Sequence, residues 1–159
     1  GFSANHSTLL DFSISARSTG EVLDDAFVDA GLNTPEDQAL DATPHDDGVE
    51  NLLKYAFNMD LSGPDSSTFE DGGDSGLPAS GLEEVDGETV WQVEYVRPKG
   101  SGLVYAPKKA ASLDQAFEPM VGAVSTQDLG NGLERVTVSE PCDPNTTPTC
   151  FSIVEVSVP

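Results

Sequence analysis

TVWQVEYV, residues 89–96, sets Trp91, Val93 and Tyr95 on one side of the chain and Gln92 and Glu94 on the other. A period of two is what a strand with one buried face requires, because successive side chains of an extended backbone point to opposite faces. Further runs of the same kind follow: GLVYA at 102–106, AVST at 123–126, LERVTV at 133–138 and FSIVEVSV at 151–158. They are rich in the β-branched and aromatic residues that fit a pleated, half-buried surface. Such a succession of short strands predicts a small antiparallel β-sandwich over residues 85–159.

Upstream of it the character of the chain changes. Residues 61–84 are rich in Gly, Ser, Pro and Asp and carry no periodicity, the composition of a linker. Residues 20–60 read as helical. In EVLDDAFVDAGL, residues 21–32, Val22, Leu23, Ala26, Phe27 and Ala30 fall at helical spacing, and Gly31 is a suitable stop. Thr34-Pro35-Glu36-Asp37 has the form of an N-cap with proline at the first helical position, so PEDQAL, 35–40, is expected to form a short second helix. A third is expected from about Gly48 to Asn58, with Val49, Leu52, Leu53, Ala56 and Phe57 as its buried stripe. The fold class is therefore α+β, a short helical segment followed by a small antiparallel sandwich.

Residues 1–19 form an N-terminal arm. Within it TLLDFSISA, 8–16, alternates Leu10, Phe12, Ile14 and Ala16 with Asp11, Ser13 and Ser15, a further strand pattern. The sandwich has few strands for closure on its own. Leu10, Phe12 and Ile14 are thus candidate partner-binding residues, completing a sheet edge in their own chain or in a neighbour.

The chain has 159 residues, 37% of them hydrophobic, enough to bury a core. Its net charge is -21, from 28 Asp+Glu against 7 Lys+Arg. Such a field repels polyanions, which argues against a nucleic-acid partner. The charge is uneven, with 20 acids and 2 bases in residues 1–90 but 8 acids and 5 bases in residues 91–159. An acidic, solvated surface of this kind suits salty or extracellular water. No apolar run approaches the roughly 18 residues of a membrane span, and Gly1 to Gly20 lacks the pattern of a secretion signal. The sequence given is expected to be soluble, without membrane insertion, any export signal having been removed or lying upstream.

HDDGVENLLKYAFNMDL, 45–61, reads like a calcium loop running into an amphipathic helix. An EF-hand loop offers oxygens at positions 1, 3, 5, 7, 9 and 12, with glycine at 6 for the sharp turn and a bidentate acid at 12. With Gly48 at position 6, Asp47 and Asn51 fit as ligands, and Asp41 and Asp46 are placed to add oxygens. Lys54 falls on the closing position, where it brings a positive charge in place of two oxygens, and His45 is a poor ligand for a hard cation. Calcium is thus a candidate cofactor of weak or absent affinity. The competing reading is that these acids cap the following helix.

AGLNTPEDQALDATPHDDGVENLLKYAFNMDL, 30–61, resembles the D-x-D-x-DG-x-x-N-LL-EYA segment, dockerin-like or thrombospondin type 3-like, found near the C-termini of large secreted bacterial multidomain proteins. In that family the segment is followed by a low-complexity spacer and a short β module, the same order as residues 30–159. WQVEYVRPKGSGLVYAPKKAASLDQAF, 91–117, is similar to that second module. The chain departs from the pattern at Thr43, His45 and Lys54, which bears on metal binding, and at Phe117, where tryptophan is commoner. The resemblance implies a non-catalytic accessory region of an exported protein.

Other features admit two readings each. Cys142 and Cys150 bracket DPNTTPT between two strands, and a disulfide clipping that loop is expected, as found in oxidising compartments. Zinc would need further Cys or His ligands, and His6 and His45 are the only histidines. GDSG, 73–76, has the form of a serine-protease nucleophile motif, but in a spacer full of Gly, Ser and Asp it arises readily by composition. Trp91, Tyr95, Tyr105 and Phe117 either stack on sugar rings or fill the core, with Trp91 and Tyr95 the candidates for stacking. Arg97, Lys99, Lys108 and Lys109 concentrate positive charge that either meets acidic residues of this or another chain or lies in a solvated turn. Asn5 and Asn145 have glycosylation spacing. The expected function is a non-catalytic extracellular or cell-surface module for adhesion, anchoring or assembly, with self-association or another protein as partner. A carbohydrate-binding accessory module, with polysaccharide as partner, is the alternative.

Overall fold

The computed structural model describes residues 16–146 and 149–159. Among these residues two helices lead into seven strands: α1 Thr19–Asp29, α2 Asn51–Ala56, β1 Ala79–Val85, β2 Glu88–Pro98, β3 Val104–Ala110, β4 Glu118–Pro119, β5 Ala123–Gly130, β6 Leu133–Pro141 and β7 Phe151–Ser157. The strands form two antiparallel sheets, ordered β1-β2-β6-β5 and β4-β3-β7. The expected α+β class and small sandwich are what the chain adopts. All five strands anticipated beyond residue 85 are present, whereas the strand anticipated at residues 8–16 lies outside the described residues.

Two tight turns set the register of the larger sheet. Asp86-Gly87 joins β1 to β2 and Asn131-Gly132 joins β5 to β6, each with both residues at positive φ. That backbone matches the right-handed twist of paired strands and is the reason Asp-Gly and Asn-Gly dominate such hairpins. In the central pair Val93 faces Val138 and Tyr95 faces Val136, all four buried.

The helical segment contributes to the same core as the sheets. Val49, Ala56, Phe57 and Met59 cluster with Val93, Tyr95, Val136, Val138 and Val154. Phe57 meets Tyr95 and Tyr105 edge-on, at centroid distances of 5.9 and 6.1 Å, while the two tyrosines stack at 5.7 Å. Tyr105 Oη also donates to the Ala56 carbonyl at 3.0 Å, satisfying a group at the end of α2 that has no partner within its own helix. A smaller cluster, Leu23, Phe27 and Leu32, joins α1 to Tyr55, Leu61 and Leu103.

The helices differ from expectation in extent. Ser18 and Glu21 form a reciprocal capping box, so α1 starts two residues earlier than the apolar spacing suggested. Residues 35–40 make turns and not a helix. Thr34 caps them as anticipated, accepting from Asp37 N at 3.1 Å, and Gln38 N reaches Thr34 O, but Ala39 N and Ala42 N turn to carbonyls three residues back and no run of four-residue bonds follows. Asn51 Nδ2 donates to Asp37 O at 2.6 Å and to Ala39 O at 2.9 Å, and Leu52 N donates to Leu40 O, so α2 binds carbonyls that a helix over 35–40 would leave without partners in its last turn.

The segment read as a linker is also built into the fold. Phe69 is buried beneath the Arg135 guanidinium, 5.1 Å from its ring centroid, and Arg135 pairs in register with the fully buried Val96. A short bridge joins Thr68 to Leu77, with Phe69 N donating to Leu77 O at 2.8 Å. Its last residues enter β1, whose sparse apolar positions Leu82 and Val85 are each 44% exposed.

Candidate functional site

Two places gather residues singled out from the sequence, the loop before α2 and the end of the sandwich near Trp91, and a third feature is the uncovered edge at β5.

In the loop, positive φ at Asp46 and Gly48 makes the sharp turn a calcium loop requires, but the anticipated ligands do not converge. Asp41 and Asp46 are exposed. Asn51 is fully buried with its amide nitrogen on the Asp37 and Ala39 carbonyls, and its Oδ1 has no hydrogen-bond partner among the described residues. Asp47 accepts from Val49 N at 3.0 Å, from Asp65 N at 2.8 Å and from Lys54 Nζ at 2.5 Å. These bonds, that from Lys54 foremost, hold its carboxyl far below the ordinary range for aspartate. His45 Nε2 lies 3.0 Å from the Leu61 carbonyl, where it is a hydrogen-bonding group. Among the described residues, no three His, Cys, Asp or Glu side chains are grouped to hold a metal ion. The donor set does not suit calcium: the seat opposite Asp47 is taken by the ammonium of Lys54, whose side chain has no exposed surface.

At the open end of the sandwich a cleft of about 650 Å³ is lined by Trp91, Lys109, Glu118, Asp143, Cys142 and Cys150, among others. Glu140, paired in register with Trp91, is buried and forms an ion pair with Lys109 from the facing sheet. Burial pushes the Glu140 carboxyl upward, but Lys109 and the Val121 N–H outweigh it and leave the group below its usual value. The expected disulfide is corrected here: Cys142 and Cys150 are free thiols. Both line the cleft, one leaving β6 and the other entering β7, so the strands are held by the sandwich without a clip across the loop. Burial, partly offset by Lys109, raises the Cys150 thiol.

The two candidates for sugar stacking separate. Trp91 is half-buried and lines the cleft, and its Nε1 is buried without a partner among the described residues. Tyr95 is 2% exposed, stacked on Tyr105 in the core, so its ring presents no face to a ligand. Asn145 is exposed in a turn, where its backbone and side-chain nitrogens both donate to Asp143 Oδ1. Asn5, His6, Leu10, Phe12 and Ile14 lie outside the described residues.

GDSG turns out to shape a close backbone approach. Gly76 has φ +118, donates to the Phe57 carbonyl, and any Cβ there would lie 2.6 Å from Phe69 N. The concentration of bases resolves into ion pairs within the chain: Arg97 with Glu134, Lys99 with Asp128, Lys108 with Glu155 and Lys109 with Glu140.

The uncovered edge was not foreseen as such. Val124 of β5 pairs in register with Val138, so both point to the inner face, yet Val138 is 3% exposed and Val124 65%. Among the described residues the facing sheet has three strands, one of only two residues, and none of them covers Val124. The signal in the sequence was the small number of strands available for closing a sandwich, which does not say which edge stays open.

Compared with known proteins, the chain matches no family model and no curated protein. Among the described residues, no helix is long and apolar enough to cross a membrane.

Proposed function

We propose that this chain is a non-catalytic extracellular structural module that assembles by strand addition, the segment 8–16 of one copy completing the sandwich of another. The observation that carries this reading is the exposure of Val124 on an inner face whose register partner Val138 is buried. An inner face left open over β5 is a place for one more strand, and segment 8–16 has the alternating apolar side such a position takes. The arm also leaves the described structure close to the smaller sheet. Thr19 sits against Gly102, just before β3, so closely that a Cβ on that glycine would collide with it. Beside β3, strand β4 pairs only with Lys108 and Lys109, leaving Val104 to Ala106 without a strand on that side among the described residues. A strand entering there extends the smaller sheet toward the open face of β5.

Light scattering after size exclusion tests the reading, comparing the full chain with one lacking residues 1–17 and with Phe12→Lys. Concentration-dependent oligomers in the full chain, reduced to monomer in both variants, are the expected result. A monomer at all concentrations refutes assembly, and if deletion lowers its melting temperature the arm completes its own chain's sheet instead.

The cleft favours a second reading. Trp91 presents part of its indole to a cleft that also offers Lys109, Glu118 and Asp143, the mixture of aromatic surface and polar groups that holds a saccharide. Because the chain has a single tryptophan, its fluorescence reports directly on that cleft. A saturable change on titration with soluble polysaccharide, lost in Trp91→Ala with the fold intact, would support a carbohydrate-binding module.

A further inference from the structure

The disagreement between the calcium-loop pattern and the donors around Asp47 has a physical resolution in Lys54. This lysine stands at the closing position of the loop, where a calcium-binding loop supplies two carboxylate oxygens to the ion. Its side chain is fully buried, an arrangement almost never found for lysine unless the charge is paired. Lys54 Nζ lies 2.5 Å from Asp47 Oδ2 and donates to the Gly63 carbonyl at 2.7 Å. Asp47 in turn accepts Asp65 N, and Asp65 Oδ2 accepts Asp60 N at 2.9 Å. Asp60 holds Ser62 and Asp65 holds Ser67, each through both backbone N–H and hydroxyl. The carboxyls of Asp60 and Asp65 are both lowered, chiefly by these bonds, with a smaller contribution from the Lys54 charge. One buried cation therefore stands at the centre of bonds joining the loop before α2 to the turn at 60–67.

We propose that the Lys54 ammonium replaces the divalent cation of such loops, a cation covalently fixed to the chain that makes this part of the fold independent of dissolved metal. The geometry explains how. A metal-binding acid at this position reaches inward to touch an ion, whereas the longer lysine stem reaches the seat of the ion itself. Asp47 already accepts three hydrogen bonds of the roughly four a carboxylate can take, which leaves little capacity for a metal. The Gly63 carbonyl, an oxygen that in a metal site would serve as a ligand, accepts from the ammonium instead.

The test uses the full chain. Its thermal midpoint is expected to be the same in EDTA and in millimolar calcium. Lys54→Met, which keeps the stem and removes the charge, is expected to lower the midpoint by roughly 6–20 °C, the consequence of leaving a buried partner unpaired. Amide protection at Asp65 and Ser62 should fall with it, and adding Asp47→Asn should cost less in that background than in the native chain. If Lys54→Met does not fold, nitrogen-15 NMR of the native protein decides, since a paired, buried ammonium exchanges its protons far more slowly than an exposed one. A native midpoint that falls in EDTA and recovers with calcium overturns the proposal. So does a Lys54→Met protein with native stability and protection, or a Lys54 ammonium that exchanges like an exposed one.

Discussion

Phe57→Ala tests whether the helical segment and the sandwich are one cooperative unit. Phe57 is 1% exposed and is the hinge of an aromatic trio, edge-on to Tyr95 of β2 and Tyr105 of β3. Removing a buried phenylalanine costs about 3–5 kcal/mol, and the lost aromatic geometry places this site toward the upper end. Against a total stability of about 5–15 kcal/mol, that is a large fraction. For a chain of this size each kcal/mol shifts the midpoint by roughly 2–4 °C, so the expected fall is about 6–20 °C. The assay pairs far-UV circular dichroism with the fluorescence of Trp91, which lies on the same strand as Tyr95 and packs against the shared core from the sandwich side. Both probes should move together in a single transition. Tyr105→Phe, which removes the donor to the Ala56 carbonyl, should follow the same pattern at about 0.5–1.5 kcal/mol. Two separate transitions, with that of Trp91 unmoved by Phe57→Ala, would refute the shared core and leave two independent folding units.

Three further outcomes can be measured. The carboxyls of Asp47, Asp60 and Asp65 are held below their ordinary values by hydrogen bonds, so they favour the folded state when ionised. Their contribution is complete above the unfolded aspartate value near pH 4 and is lost as pH falls through the folded values, so urea midpoints should drop in acid. A midpoint that rises on acidification runs against this assignment, and Asp47→Asn should flatten the dependence. Gly76→Ala should cost about 1–3 kcal/mol or more, because φ +118 is a region an L side chain rarely adopts and its Cβ would meet backbone at 2.6 Å; unchanged stability would contradict the close approach. Thiol titration of the native protein should find both Cys142 and Cys150 reactive, Cys150 the slower because burial raises its thiol, whereas a mass two hydrogens below the reduced chain would show a bridge.

What could be read from sequence follows how strongly local pattern determined each element. β2 and β6 lie at the middle of a sheet with an inner face to bury, so their alternation is plain. β1 is an edge strand with only Leu82 and Val85 as large apolar residues, and periodicity does not reveal it; the Asp86-Gly87 turn could have, by implying a strand on either side. The buried role of Phe69 was invisible for another reason. A single aromatic in a Gly- and Ser-rich stretch has no period, and its cover, Arg135, is 66 residues away. The loop before α2 was recognised as a shape and its ligands were misplaced by tertiary contacts, since nothing local indicates that Lys54 turns inward or that Asn51 serves two backbone carbonyls. Cys142 and Cys150 have the right spacing for a clip, yet both stand free on one cleft, and nothing local in DPNTTPT separates the bridged from the free state.

The ionic-strength dependence of assembly follows from the charge distribution and separates the proposed interface from its competitors. Every lysine and arginine in the chain is engaged in an ion pair with an acid of the same chain: Arg17, Lys54, Arg97, Lys99, Lys108, Lys109 and Arg135. The acids that remain carry the whole net charge of -21, so no base is left over to meet a neighbour. Two copies approaching each other are therefore repelled, over a distance that salt shortens to about 10 Å at 0.1 M. Strand addition gains from backbone hydrogen bonds and from covering Val124, and neither depends on opposite charge. Association between copies should strengthen as salt rises, with the dissociation constant falling until screening is complete. Sedimentation equilibrium across a range of sodium chloride measures it directly. An assembly that instead weakens with added salt would be held by attraction between unlike charges, which a surface with every base already paired cannot supply to a second copy of itself.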